Sequence, residues 1–253
     1  MEHNRYPKLR TVNKSIAAFP LNEFPKDFPF LLGKQLVYLL ATKGKGDLEG
    51  SEWENIFATC IGADWKPSNV GIDDVVMGNT AWGAKSVKSK NPSTQKRVRL
   101  ISGRNSPNYS FGERSDQEVD PEFMGKLVLE IWNERVSAVR EKFKHLRTVV
   151  LIKSDDLTEV VVFEFDTVRY DHELYFWKWN KNNNLEGMLK SSGEHSFTWQ
   201  PHGSQFTIIE DVPDKNLIIK IKKPEALDKE IILHSIGFDS SWVTVTHNIG
   251  VKP

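Results

Sequence analysis

Apolar positions in the chain change period near its middle. Met124, Leu127, Val128, Ile131, Trp132, Val136, Val139 and Phe143 recur at helical spacing and predict a helix over about 121–145, with Asp120 as cap and Pro121 at its first position. Upstream, "LGKQLVYLLATKG" predicts a short helix near 33–43, and "EWENIFATCIGA" a second one capped by Ser51. Between these helical stretches the period falls to two. Residues 71–89, "GIDDVVMGNTAWGAKSVKS", read as a hairpin turning at Gly78-Asn79, and "RVRLISG" at 97–103 as a further strand. After the long helix, "RTVVLIKS" and "TEVVVFEFDTV" read as a strand pair, the first nearly all apolar and therefore central. The last third reads as strands throughout: "ELYFWKWN", "HSFTWQ", "SQFTIIE", "NLIIKIKK", "EIILHSI" and "SWVTVTH".

Two stretches break the pattern. Residues 1–32 are punctuated by proline and read as an ordered arm, and 104–120 reads as a long polar loop. The expected architecture is α/β: an arm at 1–32, a mixed core at 33–167 and a β-rich extension at 168–253, joined as one continuous domain. No internal repeat or low-complexity tract interrupts it.

Composition narrows the classes. The 253 residues carry 34 basic and 34 acidic side chains, which argues against a protein that coats nucleic acid through a broad basic surface. A basic cleft balanced by an acidic exterior stays open. No apolar run approaches the length of a membrane span, and "MEHNRYPKLR" lacks the hydrophobic stretch of a secretory signal, so a cytoplasmic location is expected. The single cysteine, Cys60, rules out an intrachain disulfide and is expected to pack in a helix. The histidines show no HxH or HExxH spacing, and GxGxxG, GxxxxGK[ST] and GxSxG are absent. A zinc hydrolase, the usual nucleotide-binding loops and a serine nucleophile elbow are thereby set aside.

The hairpin holds the densest chemistry. With Gly78-Asn79 as a two-residue turn, Met77 faces Thr80 and Asp74 faces Gly83. Asp74, Gly83 and Lys85 then project from one face, and Asp73, Trp82 and Ala84 from the other. A four-residue turn keeps that parity, whereas a three-residue turn puts Asp73 in the place of Asp74. Charge on strands this apolar is costly unless it has a partner or a task. An aspartate and a lysine on one face can hold a hard divalent cation such as Mg2+ and a water molecule, with the ammonium steadying the developing charge. A cross-strand surface salt bridge is the simpler use of the same pair.

A helix with an inward acid, an Asp-bearing strand, a turn and a strand ending in x-x-Lys together resemble the PD-(D/E)xK nuclease core, most closely that of type II restriction endonucleases. "WENIFATCIGADWKPSNVGIDDVVMGNTAWGAKSVKS" covers that core, and "ISGRNSP" and "LVLEIWNERVSAVREKF" are in keeping with it. The resemblance spans roughly residues 50–165. It implies a restriction-endonuclease-like mixed sheet flanked by helices, and Mg2+-dependent, site-specific hydrolysis of double-stranded DNA. It also implies a homodimer, a bacterial cytoplasmic setting and a cognate DNA methyltransferase. Asp74, or Asp73, would hold metal and Lys85 would assist the water. Where the family carries an acid two positions before the lysine, this chain has Gly83. Some members supply that acid from another element, and a glycine would leave room for it to approach. Glu54 is the candidate for catalysis and metal binding, with Glu52 as the alternative.

Site-specific cleavage needs hydrogen-bonding side chains at base edges. "SGRNSPNYS" offers Arg104 and Asn105, and "WQPHGSQFT" offers Gln200, His202 and Gln205 around a Pro-x-Gly turn. "KWNKNNNLEG" reads as a connection. Two other readings remain: a non-catalytic module at 168–253 binding a glycan or nucleic acid through exposed aromatics of "LYFWKWN", and a repair or structure-selective nuclease of the same fold.

Overall fold

The computed structural model describes residues 15–67 and 71–246. Part of the arm expected at 1–32 therefore lies outside the described residues. Within it, 15–27 runs without regular structure, and helix α1 begins earlier than expected, at Phe28–Lys43. Phe28, Leu32, Leu36, Leu39 and Leu40 line its buried face, and Gly44 ends it in the left-handed conformation. Helix α2, Gly50–Ile61, follows. Its cap is Glu49 rather than Ser51: the Glu52 carboxylate reaches back to accept the Glu49 N–H at 2.9 Å. Cys60 is buried in this helix as expected, and burial pushes its thiol up to about 11.

A six-stranded sheet runs β1 (Asp64–Trp65), β2 (Val75–Met77), β3 (Thr80–Lys88), β5 (His145–Lys153), β6 (Glu159–Asp166), β11 (Leu217–Lys220) in spatial order. Only β3 and β5 are parallel. The long helix α4, Pro121–Arg140, lies in the connection between them, as parallel neighbours require. Its start is as the sequence predicts: Asp120 accepts the Phe123 N–H at 2.8 Å, and Pro121 occupies the first turn. The helix ends at Arg140, before the expected 145, and Phe143 packs from beyond its end. β5 is central and buried from Leu146 onward, as its composition demanded.

The second sheet has five antiparallel strands in the order β4 (Arg97–Arg104), β10 (Gln205–Asp211), β9 (His195–Gln200), β8 (Leu185–Leu189), β7 (Tyr175–Trp179). Helix α4 fills the space between the sheets. Met124, Val128, Trp132 and Val136 meet Ala81 and Leu146 of the first sheet and Trp177, Phe197, Trp199 and Phe206 of the second. Helices α1 and α2 cover the opposite face of the first sheet, through Phe28, Leu36, Trp53 and Phe57 on Val75, Trp82, Val149 and Val162. Val98 and Leu100 of β4 pack on Val150, Ile152 and Phe163.

Four further expectations change. The division at 167/168 does not hold, because β4 leaves the core for the second sheet and β11 crosses back to pair with β6. The loop at 104–120 contains a short helix α3, Pro107–Phe111, capped by Ser106. "EIILHSI" forms helix α5, Lys229–Ser235, because Asp228 accepts the N–H groups of Glu230 and Ile231 and starts a helix. In "SWVTVTH", Ser240–Trp242 is a 3-10 turn and 243–246 pairs with no strand, while His247 lies outside the described residues.

Candidate active site

The hairpin has the register its turn dictates: Met77 pairs with Thr80, Val76 with Ala81 and Val75 with Trp82. The next residue, Asp74, is therefore the one in line with Gly83. Trp82 and Ala84 join the core under α1 and α2, while Ala81 belongs to the core around α4. Gly83 and Lys85 share the parity of Ala81 and turn the same way. Asp74 is buried, with 4% of its surface exposed, and Asp73 is half-buried.

Lys85 enters this site along its aliphatic stem, and its Nζ donates to the Gly71 carbonyl at 3.3 Å. Burial pulls its pKa down, Asp74 and more weakly Glu54 push it back up, and Arg135 adds to the fall. Glu54 comes from α2 and is held by Trp65, whose Nε1 donates to Oε2 at 3.2 Å. Burial raises the Glu54 pKa; the Trp65 bond opposes that rise, Asp74 adds to it and Lys85 opposes it. Asp74 acts on both Glu54 and Lys85, and those two act on each other, so the three charges share one neighbourhood. Glu52, the alternative acid, is occupied elsewhere by the cap of α2 and by Lys43 Nζ at 2.5 Å.

Gly83 does not leave a vacant slot for a carboxylate. A Cβ there would stand 3.0 Å from the Cα of Ile72, so the segment leading into β2 fills that space.

Arg135 of α4 joins the cluster, and the sequence reading passed over it. Its pKa is lowered by burial and supported by Asp74. One guanidinium nitrogen donates to the Ser102 carbonyl at 2.8 Å and to Asn105 Oδ1 at 3.2 Å. The available signal was positional: an arginine lies between Trp132 and Val136 on the apolar side of α4, where a charge needs a partner. Gly103 makes room for it, since a Cβ at that residue (φ +121°) would lie 2.6 Å from the guanidinium.

The base-reading candidates divide. Asn105 is fully buried, donates to the Val128 carbonyl at 2.9 Å and accepts from Arg135, so it ties α4 to β4 and is not available to a ligand. Arg104 is exposed at the end of β4. It pairs across the sheet with Gln205, which pairs in turn with Gln200. His202 is exposed in the turn joining β9 to β10. Arg104, Gln205 and Gln200 thus form one cross-strand row. Beside it, a cavity of about 400 Å³ is walled by Lys85, Arg104, Arg135, Gly71 and residues 101–103.

Comparison with protein families, curated proteins and solved structures yields no match for this chain.

Two other features bear on function. Among the described residues no three His, Cys, Asp or Glu side chains gather to hold a metal ion. Mg2+ keeps several waters and takes one or two carboxylates together with substrate phosphate, and Asp74 and Glu54 are the carboxylates that would hold it. The aromatics of "LYFWKWN" are not an exposed platform: Tyr175 and Trp177 are buried in the α4 core, and Trp179 donates to the Val119 carbonyl at 3.2 Å. "KWNKNNNLEG" makes the β7–β8 turn, as a connection, and its last residues open β8.

Proposed function

We propose that the protein is a Mg2+-dependent endonuclease for double-stranded DNA, built on a restriction-endonuclease-like core and cutting at a defined sequence. The observation that carries this reading is the convergence of Asp74, Glu54 and Lys85, from two hairpin strands and a helix, beside a cavity walled by cations. The order helix, hairpin, crossover helix, parallel strand supports it further.

Asp74 and Glu54 would hold the cation, whose chemistry is to polarise a phosphate oxygen and favour ionisation of bound water. Asp73, next in the chain, is the reserve ligand. Lys85 would hydrogen-bond the attacking water and balance the negative charge that grows on phosphorus oxygens. Hydrolysis joins a water oxygen to phosphorus and breaks one P–O bond of the backbone; the departing oxygen gains the proton that the water loses. Arg135, anchored to Ser102 and Asn105, holds a fixed positive charge at the same wall. Arg104, Gln205 and Gln200, with His202 at the turn, are the side chains suited to base edges.

A homodimer acting on a palindromic site, with a methyltransferase protecting host DNA in a bacterial cytoplasm, completes the proposal. No helix among the described residues is long and apolar enough to cross a membrane.

The test is direct. Phage DNA incubated with the protein should give discrete fragments with Mg2+ and none with EDTA. Lys85→Ala and Asp74→Ala should each abolish cutting while specific binding persists. Full cleavage by the Lys85→Ala protein would refute the assignment, and nicking without fixed ends would favour a structure-selective nuclease.

A further inference from the structure

The cavity beside Lys85 is not isolated. A second one, of about 470 Å³, is walled by Lys88, Arg97, Arg99 and His195 together with Val87 and Gln95. Both draw their walls from β3 and β4, and in antiparallel order: Lys85 stands with residues 101–104, and Lys88 with residues 97–99. The two cavities therefore follow one another along β4, the edge strand of the second sheet.

We propose that the two cavities join as one cleft, an extended track for the sugar–phosphate backbone of a nucleic acid that continues from the Lys85 site to Lys88, Arg97 and Arg99. The identity of the polyanion rests on the nuclease reading; the cleft and its charge do not.

Three observations carry it. The chain as a whole is neutral, with 34 charges of each sign, so cations gathered along two strands depart from the average surface. The arginines are also held rather than loose. Arg99 donates to Thr198 Oγ1 at 2.8 Å, while Arg97 donates to the His195 carbonyl at 3.0 Å and pairs with Asp211 at 2.8 Å. Asp211 partly offsets Arg97, so exposed Arg99 is the principal contributor, and Lys88, which ends β3 with the parity of Trp82, reaches the cleft from its rim. Length is the third. The strand Arg97–Arg104 extends roughly 26 Å at ~3.3 Å per residue, enough for about seven steps of a duplex at ~3.4 Å each.

The experiment uses the full chain with EDTA present, so that no DNA is cut, and measures affinity for a duplex of about 30 base pairs against salt. Replacing Arg99 and Lys88 together by alanine should weaken binding about tenfold at low salt. It should also reduce the slope of log K against log salt by ~1.8, at ~0.9 for each phosphate no longer neutralised. Arg99→Lys should keep most of the slope, and Lys142→Ala, exposed just beyond α4, should not change it. Melting curves confirm that the variants are folded, as replacements at exposed positions should be. An unchanged slope in a folded double variant overturns the track even if the protein cuts DNA. Track-dependent binding with no cleavage in Mg2+ would sustain the track and remove the nuclease.

Discussion

Gly83 and Ile72 approach so closely that a side chain on residue 83 would begin 3.0 Å from the Ile72 Cα. The position where related-looking enzymes carry an acid is closed here by backbone, which cannot move aside as a flexible side chain could. The glycine is thus a packing requirement, and a second carboxylate has to come from outside the strand. In the proposed site Glu54 would supply it. Restoring the acid by Gly83→Glu should therefore destabilise the fold by ~1–3 kcal/mol through overpacking and lower cleavage rather than raise it. Urea unfolding and initial cutting rates measure both. Faster cutting at unchanged stability would show that the site wants an acid there.

Much of this site was legible because it is local. A two-residue turn and a period of two fix which face Asp74, Gly83 and Lys85 share, and a register slip of one would have buried the wrong set. Helix α4 announced itself by Asp120, Pro121 and its apolar stripe. What stayed hidden depends on distant pairing. The departure of β4 to the second sheet and the return of β11 to the first leave no local mark, since either strand alternates correctly in both settings. Asn105 looked like a loop residue because only the packed structure brings the Val128 carbonyl to it. "EIILHSI" is too short for its apolar run to tell strand from helix, and the Asp228 cap decided the matter.

Glu54 gives a pH prediction. Burial raises its pKa, so it stays protonated to a higher pH than an ordinary glutamate, and a cation binds the ionised form. Mg2+ affinity should fall as pH drops through that raised value. Trp65 donates to the ionised carboxylate and so opposes the rise. Trp65→Phe should move the acid limb to still higher pH, by a modest amount because Trp65 is partly exposed. Isothermal titration with Mg2+ at several pH values reads the shift, and an acid limb that moved down would exclude Glu54 as a ligand.

Arg135 and Gly103 form a second steric pair, and Gly103→Ala should displace the guanidinium from Ser102 and Asn105. Loss of a charge-assisted hydrogen bond is worth ~1.5–3 kcal/mol, roughly a ten- to hundredfold fall in cleavage rate if it acts in the transition state. Arg135→Lys should also be slow, because the lysine nitrogen ends one bond short of the guanidinium nitrogen that donates to both Ser102 and Asn105. Single-turnover rates of the two variants are the measurement. An Arg135→Lys protein as fast as wild type would reduce Arg135 to a simple countercharge.

Glu164 anchors the other face of the same sheet, in the row of Ala84 and Val149. Its carboxylate is fully buried and accepts from Arg147 and from the Trp82 indole at 2.8 Å each, and from the Asn22 N–H at 3.1 Å. Removing it strands a buried guanidinium, so Glu164→Ala should cost ~3–5 kcal/mol. Trp82→Phe, which keeps most of the packing and loses one bond, should cost less, ~1–3 kcal/mol. Denaturant melts give both values, and a double variant no worse than Glu164→Ala would show the two acting as a unit.

The segment after β11 bears on the proposed dimer. Helix α5 buries none of its residues, and Ile231, Ile236, Trp242, Val243 and Val245 each expose more than half of their surface. The Leu227 N–H ties it to the body by donating to the Ala41 carbonyl at 2.8 Å, beside α1, whose Phe30 and Tyr38 are also exposed. Residues 222–246 are about as many as one side of a standard interface takes, ~20–30. Two-fold pairing would let each copy's segment cover the apolar face of the other's α1. Sedimentation should then give a dimer for the wild type and a monomer for Ile231→Glu/Trp242→Glu, with the fold intact because neither side chain is buried at home. A wild-type chain that stays monomeric at tens of micromolar would remove this segment from the dimer and leave the site standing alone.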